Sequence, residues 1–169
     1  MDVVLVDENN QVIGVAEKLE AHQKGLLHRA FSIFVFNNAG ELLIQQRNPA
    51  KYHSGGFWSN TVCSHPAPGE SLTDAVHRRL VEEMGFDCAF KEIGAFQYRV
   101  DLDHQITENE YDYIFVGYYD GKVEPNPSEV SEYHWIEMDK LKKDIEKSPD
   151  KYTYWFKKIL NKNLLRVKK

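Results

Sequence analysis

The sequence has few cysteines and no long apolar run. It contains two cysteines, Cys63 and Cys88, too few for the disulfide framework of a small secreted domain. We therefore expect free thiols and a reducing compartment, the cytoplasm. No apolar run approaches the roughly 20 residues of a membrane-spanning helix. The N-terminal segment becomes acidic at Asp7 and Glu8, so we expect no signal peptide and no membrane partner.

The sequence also lacks an excess of positive charge. Lys and Arg number 21 against 26 Asp and Glu, which gives a net charge of −5. Nucleic-acid binding depends on Lys and Arg that displace counterions from phosphates. We therefore expect no nucleic-acid partner. The oligomeric state is left open, and a monomer is compatible with the sequence.

What is present indicates one globular domain. Hydrophobic residues make up 42% of the chain and aromatic residues 12%, a composition typical of folded proteins rather than disordered ones. The length of 169 residues fits a single domain spanning residues 1–169. No repeat, linker or low-complexity segment divides it. Strands, then a helix, more strands and terminal helices predict an α+β sandwich.

The alternation of apolar residues predicts most of the elements. Two hairpins are expected first, from residues 3–6 with 12–15 and from residues 31–36 with 42–46. Further strands are expected at 57–62, 89–100, 111–119 and 133–138, and terminal helices at 140–147 and 151–160. Residues 18–28 and 47–56 are expected to be irregular. The loop between the strands at 89–100 and 111–119 contains Asp101, Asp103, His104, Glu108 and Glu110.

One helix is indicated by its ends as well as by its apolar positions. Ser71 and Asp74 form a capping-box pattern at the start, and Gly85 is placed to end the helix. Leu72, Ala75, Val76, Leu80 and Met84 recur at helical spacing. Arg78 and Arg79 each precede a glutamate by four residues, so a surface helix with ion pairs would explain the segment as well.

Five residues could be ligands of a metal ion. They are His22, His28, His65, Glu108 and Glu110. A lone histidine is more often structural than a ligand. On a strand, however, Glu108 and Glu110 would point to the same side. Three imidazoles with two carboxylates suit Zn²⁺ or Mn²⁺ better than they suit an all-oxygen Ca²⁺ site.

The helix and its flanks resemble a known motif. Glu70, Arg78, Glu82, Glu83 and Gly85 have the spacing of the Nudix box, G-x5-E-x7-R-E-U-x-E-E-x-G-U. Two positions depart from the box, with Ser64 in place of its first Gly and Arg79 in place of a metal-binding Glu. This altered box, preceded by Cys63-Ser64-His65-Pro66, resembles the type 1 isopentenyl-diphosphate isomerases of the Nudix superfamily.

The resemblance extends from Lys18 to Trp155 and implies a Nudix-type α/β/α sandwich with a mixed central sheet. It implies interconversion of isopentenyl and dimethylallyl diphosphate by proton addition and removal. The implied catalytic residues are Cys63, Glu110, Tyr98 and Trp155. The implied ligands of one divalent ion (Zn²⁺, Mn²⁺ or Mg²⁺) are His22, His28, His65, Glu108 and Glu110.

The resemblance also implies how the diphosphate is held. Lys18, Arg47, Lys51 and Arg79 match the basic residues around the phosphates, and Glu83 would share a Mg²⁺ ion with the phosphate oxygens. No flavin or nicotinamide cofactor is implied.

Two other functions are compatible with parts of the sequence. One is a Nudix hydrolase of a nucleotide diphosphate derivative, against which Arg79 argues. The other is a catalytically silent module that binds a diphosphate or a metal ion. The remaining histidines, His53, His77, His104 and His134, are interpreted as structural or solvent-facing, and Cys88 is interpreted as structural.

Overall fold

The computed structural model describes residues 1–102, 105–162 and 165. Its strands are β1 Asp2–Val6, β2 Val12–Glu17, β3 His28–Phe36, β4 Glu41–Arg47, β5 Trp58–Ser59, β6 Val62–Ser64, β7 Phe90–Leu102, β8 Ile106–Tyr118 and β9 Val130–Glu137. Its helices are α1 Lys18–Lys24, α2 Leu72–Met84, α3 Met138–Lys147 and α4 Tyr154–Asn161, with a 3-10 turn at Pro149–Lys151. In the part of the chain described, no helix is long and apolar enough to cross a membrane.

All nine strands belong to one mixed sheet, and β3 lies at its centre. β3 pairs in parallel with β8 from His28 opposite Glu110 to Phe36 opposite Tyr118. Its pairings with β1, β4 and β6 are antiparallel. β7 pairs with β8, and β9 pairs with β4, both antiparallel. The predicted mixed sheet is therefore confirmed.

Side chains alternate across β3 and supply a core on each face of the sheet. Phe31, Ile33 and Val35 are buried on the face covered by α2. Phe34 and Phe36 are buried on the opposite face, which α3 and α4 cover. Helices on both faces of one sheet make the α/β/α sandwich that the resemblance implied.

Helix α2 begins and ends at the predicted residues. The Ser71 hydroxyl accepts a hydrogen bond from the Asp74 backbone N–H at 3.1 Å. At the other end Gly85 has φ of 75°, and its N–H donates to the Val81 carbonyl at 3.0 Å. A Cβ atom at residue 85 would overlap the Glu124 carbonyl oxygen. Glycine therefore meets both the conformational and the steric requirement at this position.

Several elements differ from the sequence prediction. The strand expected at 57–62 is interrupted and becomes β5 and β6, and β9 starts at Val130 rather than at residue 133. Residues 18–24 form α1, a helix of seven residues that is too short for hydrophobic periodicity to reveal. Strand β8 starts at Ile106, so Glu108 and Glu110 lie in a strand and not in the predicted loop. The last helix starts at Tyr154 rather than at residue 151, because Pro149–Lys151 form a 3-10 turn. Asp103 and His104 lie outside the described residues.

The core beneath α2 gives a stability prediction. Leu80 is fully buried against the sheet, whereas Val81 on the same helix is half exposed. Replacement of Leu80 by Ala leaves a cavity, so we expect Leu80→Ala to lower the free energy of unfolding by about 2–5 kcal/mol. The matched Val81→Ala change should stay within about 0.5 kcal/mol. Urea unfolding of the metal-free proteins measures both, and equal losses would contradict the assigned faces of α2.

Candidate active site

Three histidines from separate elements lie close together. His22 lies on α1, His28 at the start of β3 and His65 just after β6. Their ring centroids are 4.7 Å (His22 to His28), 5.0 Å (His28 to His65) and 5.8 Å (His22 to His65) apart. All three are buried. Burial lowers the pKa of His22 to about 4 and that of His65 to about 3, so these imidazoles are neutral at physiological pH.

Backbone carbonyls fix the orientation of two of these rings. His22 Nδ1 lies 2.7 Å from the Lys18 carbonyl oxygen, and His28 Nδ1 lies 2.8 Å from that of Leu26. Each Nδ1 therefore carries the proton, and each Nε2 has a free lone pair. Both Nε2 atoms are buried without a hydrogen-bond partner among the described residues. This is the arrangement of metal-binding histidines, whose second ring nitrogen donates to a carbonyl.

Glu110 brings a carboxylate to the three imidazoles. Its position on β8 opposite His28 follows from the parallel register of β3 and β8. Its Oε1 atom lies 2.9 Å from His65 Nε2, 3.5 Å from His28 Nε2 and 4.0 Å from His22 Nε2. Ligand atoms of all four residues lie within 4.8 Å of one another. The donor set fits one divalent ion.

Glu108 lies beside Glu110 but belongs to a different group of ligand atoms. It groups with His22 and His53 rather than with His28, His65 and Glu110. The Tyr98 hydroxyl bridges the two carboxyl groups, at 2.9 Å from Glu108 Oε2 and 2.6 Å from Glu110 Oε2. A phenol has one proton to donate, so the bridge is complete only when one of the carboxyl groups is protonated.

The pKa directions assign that proton to Glu108. Burial raises the pKa of Glu108 well above its usual value, and the charge of Glu110 raises it further. Burial acts on Glu110 in the same direction, but the imidazoles of His28 and His65 beside it outweigh burial and hold the pKa well below the usual value. A divalent cation would stabilise the ionised form of both carboxyl groups.

Cys63 lies on β6 with its thiol in a network of polar groups. The Trp155 indole N–H donates to Sγ at 2.8 Å, and the thiol donates to Asn60 Oδ1 at 2.9 Å. The Asn60 amide nitrogen donates to the carbonyls of Val62 and Ile33, which fixes its oxygen toward the thiol. Burial, followed by the charge of Asp112, raises the pKa of Cys63 to about 12. The resting thiol is therefore protonated. Both cysteines are free.

The catalytic residues implied by the sequence share one hollow. Its empty volume, which includes space open to solvent, is about 330 Å³. The lining includes Cys63, Tyr98, Glu108, Glu110, Trp155, Lys18 and Arg47. A thiol, two carboxyl groups, two aromatic rings and two cations therefore surround the same space.

Lys51 and Arg79, the other two predicted cations, both lie close to the carboxylate of Glu129, which the sequence analysis did not indicate. Lys51 forms a salt bridge with Glu129, and Arg79 Nη2 lies 3.6 Å from Glu129 Oε1. Arg79 also pairs with Glu83, which is buried and accepts from Gln45 Nε2 at 3.0 Å. Glu129 lies on an irregular segment before β9, where no sequence pattern singled it out.

Lys18 lines the hollow and lies close enough to the other predicted cations for their charges to repel it. Desolvation, together with repulsion from Arg47, Lys51 and Arg79, lowers its pKa to about 8. Such mutual repulsion is characteristic of cations collected for an anionic ligand. Buried Nε atoms of Arg47 and Arg79 have no hydrogen-bond partner within the described ranges, so both guanidinium groups retain donors for an anion.

The structure corrects the interpretation of His53 as structural or solvent-facing. His53 is buried and lines the hollow, with Nδ1 at 3.5 Å from Glu108 Oε1. Its position depends on how the loop at residues 47–57 folds back, which the local sequence does not specify. By contrast, His77 pairs with Asp87 at the surface, and exposed His134 packs against Trp58, as interpreted. Cys88 packs against the core beside α2.

Asp112 was also missed, although the sequence contained a signal for it. It is buried and accepts a hydrogen bond from the Ser32 hydroxyl at 2.9 Å. Ser32 Oγ in turn lies 3.7 Å from Cys63 Sγ. Glu108, Glu110 and Asp112 are spaced two residues apart, the strand period that puts side chains on one face. The same rule that paired the two glutamates would have included Asp112.

Comparisons with known proteins agree with this geometry. The NUDIX domain family model matches residues 26–156. The "Isopentenyl-diphosphate Delta-isomerase 2" of Photorhabdus laumondii subsp. laumondii is 52% identical over 159 residues, covering 94% of this chain and 90% of the relative. The "Isopentenyl-diphosphate Delta-isomerase" of Burkholderia multivorans is 50% identical over 154 residues, covering 91% of this chain and 88% of the relative.

Solved structures agree on the fold. DR0079 from Deinococcus radiodurans has a TM-score of 0.70 at 21% identity, covering 86% of this chain and 89% of that one. A MutT protein from Methanosarcina mazei Go1 has a TM-score of 0.59 at 22% identity, covering 68% of this chain and 80% of that one. The chain therefore belongs to the Nudix superfamily and, within it, to the family of the isopentenyl-diphosphate Delta-isomerases.

Proposed function

We propose that this protein interconverts isopentenyl diphosphate and dimethylallyl diphosphate, a step that feeds isoprenoid biosynthesis. The reaction moves a carbon–carbon double bond by adding a proton to one carbon and removing a proton from another. The observation that carries the proposal is the placement of the Cys63 thiol and the Glu110 carboxylate around one small hollow. The curated relatives at 50–52% identity bear the corresponding name.

The proton transfers are proposed to involve Cys63 and Glu110. One of the two donates a proton to the methylene end of isopentenyl diphosphate, and the electrons of the double bond form the new C–H bond. The other accepts a proton from the carbon next to the oxygen-bearing carbon, and the electrons of that C–H bond form the new double bond. Proton exchange with solvent restores the protonation states of both groups. When the reaction runs backward, the proton donor becomes the acceptor and the acceptor becomes the donor.

The positive charge that develops between the transfers lies on the branched carbon. The ring of Trp155 lines the hollow and is fixed by its hydrogen bonds to Cys63 and Ser59. An aromatic face in a desolvated site stabilises a cation by up to about 2 kcal/mol. Tyr98 orients Glu110 through a hydrogen bond of 2.6 Å. We therefore assign Trp155 to the cation and Tyr98 to the position of the carboxylate.

We propose that His22, His28, His65, Glu110 and Glu108 hold one divalent ion. The two free Nε2 lone pairs and the shared Glu110 Oε1 support the site. Three imidazoles favour a borderline ion, Zn²⁺ or Mn²⁺, over Mg²⁺. When bound, the ion would hold the Glu110 carboxylate in place and tune its basicity. Glu108 would have to lose its proton to join the ligands.

The diphosphate is proposed to bind among Lys18, Arg47, Lys51 and Arg79. The free guanidinium donors of Arg47 and Arg79 support this assignment, since guanidinium groups bind phosphate oxygens bidentately. Phosphate oxygens would take the place of Glu129 as partners of Lys51 and Arg79. Glu83, adjacent to Arg79, is proposed to share a Mg²⁺ ion with the phosphates. The two free thiols support a cytoplasmic location.

Hydrolysis of a nucleotide diphosphate derivative is the competing function. Arg79 stands where the Nudix box has a metal-binding Glu, so a guanidinium group that pairs with Glu83 and Glu129 replaces a metal-binding carboxylate there. Phosphorus NMR of the metal-reconstituted protein with isopentenyl diphosphate separates the two functions. We expect the diphosphate to stay intact while its chemical environment changes. Release of inorganic phosphate, or of nucleoside monophosphate from a nucleotide substrate, would overturn the proposal.

A further inference from the structure

His53 lies between two hollows of the protein. The inner hollow contains Cys63 and Glu110. The outer hollow is formed by the loop at residues 49–57 together with Leu102 and has about 690 Å³ of empty space, open to solvent. Within the described part of the chain, His53 is the residue that lines both. A molecule or ion moving from the outer hollow to the inner one would pass its imidazole.

His53 offers a metal-binding nitrogen at this boundary. Its ligand atom, a carboxylate oxygen of Glu108 and a nitrogen of His22 lie within 4.8 Å of one another. The rings of His53 and His22 are stacked, with centroids 5.6 Å apart. Imidazole is the commonest metal ligand among side chains.

The outer ligand set shares His22 with the inner set of His22, His28, His65 and Glu110. His22 has one free nitrogen, because its Nδ1 donates to the Lys18 carbonyl at 2.7 Å. It can therefore serve an ion in one set or in the other, but not in both together. The two sets are alternative positions for a single ion.

We propose that His53, Glu108 and His22 form a transit site through which a divalent ion passes between the outer hollow and the inner ligand set. The proposal rests on the inner metal site of the proposed function. Moving a bare ion through a buried region is very costly, whereas exchanging ligands one at a time keeps it coordinated. His22 and Glu108 stay bound throughout, while His53 gives way to His28, His65 and Glu110.

The test is the rate at which the ion enters and leaves. Zn²⁺ release to a chromogenic chelator and Zn²⁺ uptake by the metal-free protein are measured for the parent, His53→Phe and His53→Asn. Phe keeps a ring against Tyr52 and Trp155, and Asn keeps a polar side chain. Neither offers an imidazole nitrogen. Tyr52→Phe, which keeps its ring in the same loop, and the surface change His77→Asn are the controls.

We expect both His53 variants to slow uptake and release by the same factor, on the order of tenfold, which corresponds to about 1.4 kcal/mol in the barrier. The equilibrium affinity should stay near that of the parent, and both controls should match the parent. Parental rates in both variants would overturn the transit site. A loss of equilibrium affinity with an unchanged uptake rate would also overturn the transit site, because His53 would then be a ligand of the ion in its final inner position. A parent protein that binds no Zn²⁺ or Mn²⁺ would instead refute the inner site itself.

Discussion

Replacement of Glu110 by Gln is expected to have the largest effect on activity. The change removes a proton acceptor, and loss of such a group costs about 10²–10⁴-fold in rate. It also removes the oxygen charge at which His22, His28 and His65 converge. Metal affinity should therefore fall by more than the about 10–100-fold that loss of a supporting residue costs. Steady-state turnover and the metal content of the purified protein measure the two losses separately.

A charge-matched change provides the control for Glu110. Glu132 is exposed on β9, outside the hollow, so Glu132→Gln should keep parental turnover and metal content. If Glu110→Gln retained near-parental turnover, the assignment of Glu110 to proton transfer would be wrong. If it lost turnover with its metal content intact, its role would be proton transfer without an essential contribution to ion binding.

Replacement of Cys63 by Ala is expected to lower kcat by about 10²–10⁴-fold, again the contribution of one acid–base group. Cys63 belongs to neither group of candidate metal ligands, so metal content should not change. The cations proposed to bind the diphosphate are also left in place, so substrate affinity should change little. The loss should therefore appear in kcat and not in the dissociation constant of the substrate.

The second cysteine is a matched control for this change. Cys88 packs against the core beside α2 and is absent from the lining of the hollow. We expect Cys88→Ala to retain parental kcat. Parental turnover in Cys63→Ala would contradict a catalytic role for the thiol. Equal losses in both variants would point to a fold defect instead.

The parts of the fold that the sequence predicted best are those determined by neighbouring residues. Helix α2 is bounded by a side-chain cap at Ser71 and by Gly85 in the left-handed region, both of which are local signals. Helix α1 also has local caps, since the Glu17 side chain accepts from the Glu20 N–H at 3.0 Å and Gly25 ends the helix. Its seven residues present too few apolar positions to distinguish it from a polar loop.

Strand β8 was predicted too short because its first half carries charged residues. Glu108 and Glu110 are typical of a loop when only sequence neighbours are considered. Their burial depends on His53, His65 and Tyr98, which come from other elements. Such tertiary contacts override local propensity. Glu108 and Glu110, the candidate functional residues of β8, are therefore also the residues that made this strand hard to predict.

The candidate site could be predicted only where a motif provided the positions. Cys63, Glu110, Tyr98 and Trp155 were implied by the family resemblance, and the structure brings them to one hollow. His53 and Glu129 lie on irregular segments that carry no periodic signal. Their contacts with Glu108 and with Lys51 depend on how those segments pack against the sheet.

The most direct test of the proposed activity is proton NMR of the metal-reconstituted protein with Mg²⁺ and isopentenyl diphosphate in D₂O. The proposed mechanism predicts that dimethylallyl diphosphate forms with deuterium in a methyl group, because the added proton comes from a group that exchanges with solvent. Unchanged isopentenyl diphosphate after reconstitution with Zn²⁺ and with Mn²⁺ would contradict the isomerase function. Product without deuterium would contradict proton exchange through Cys63 and Glu110.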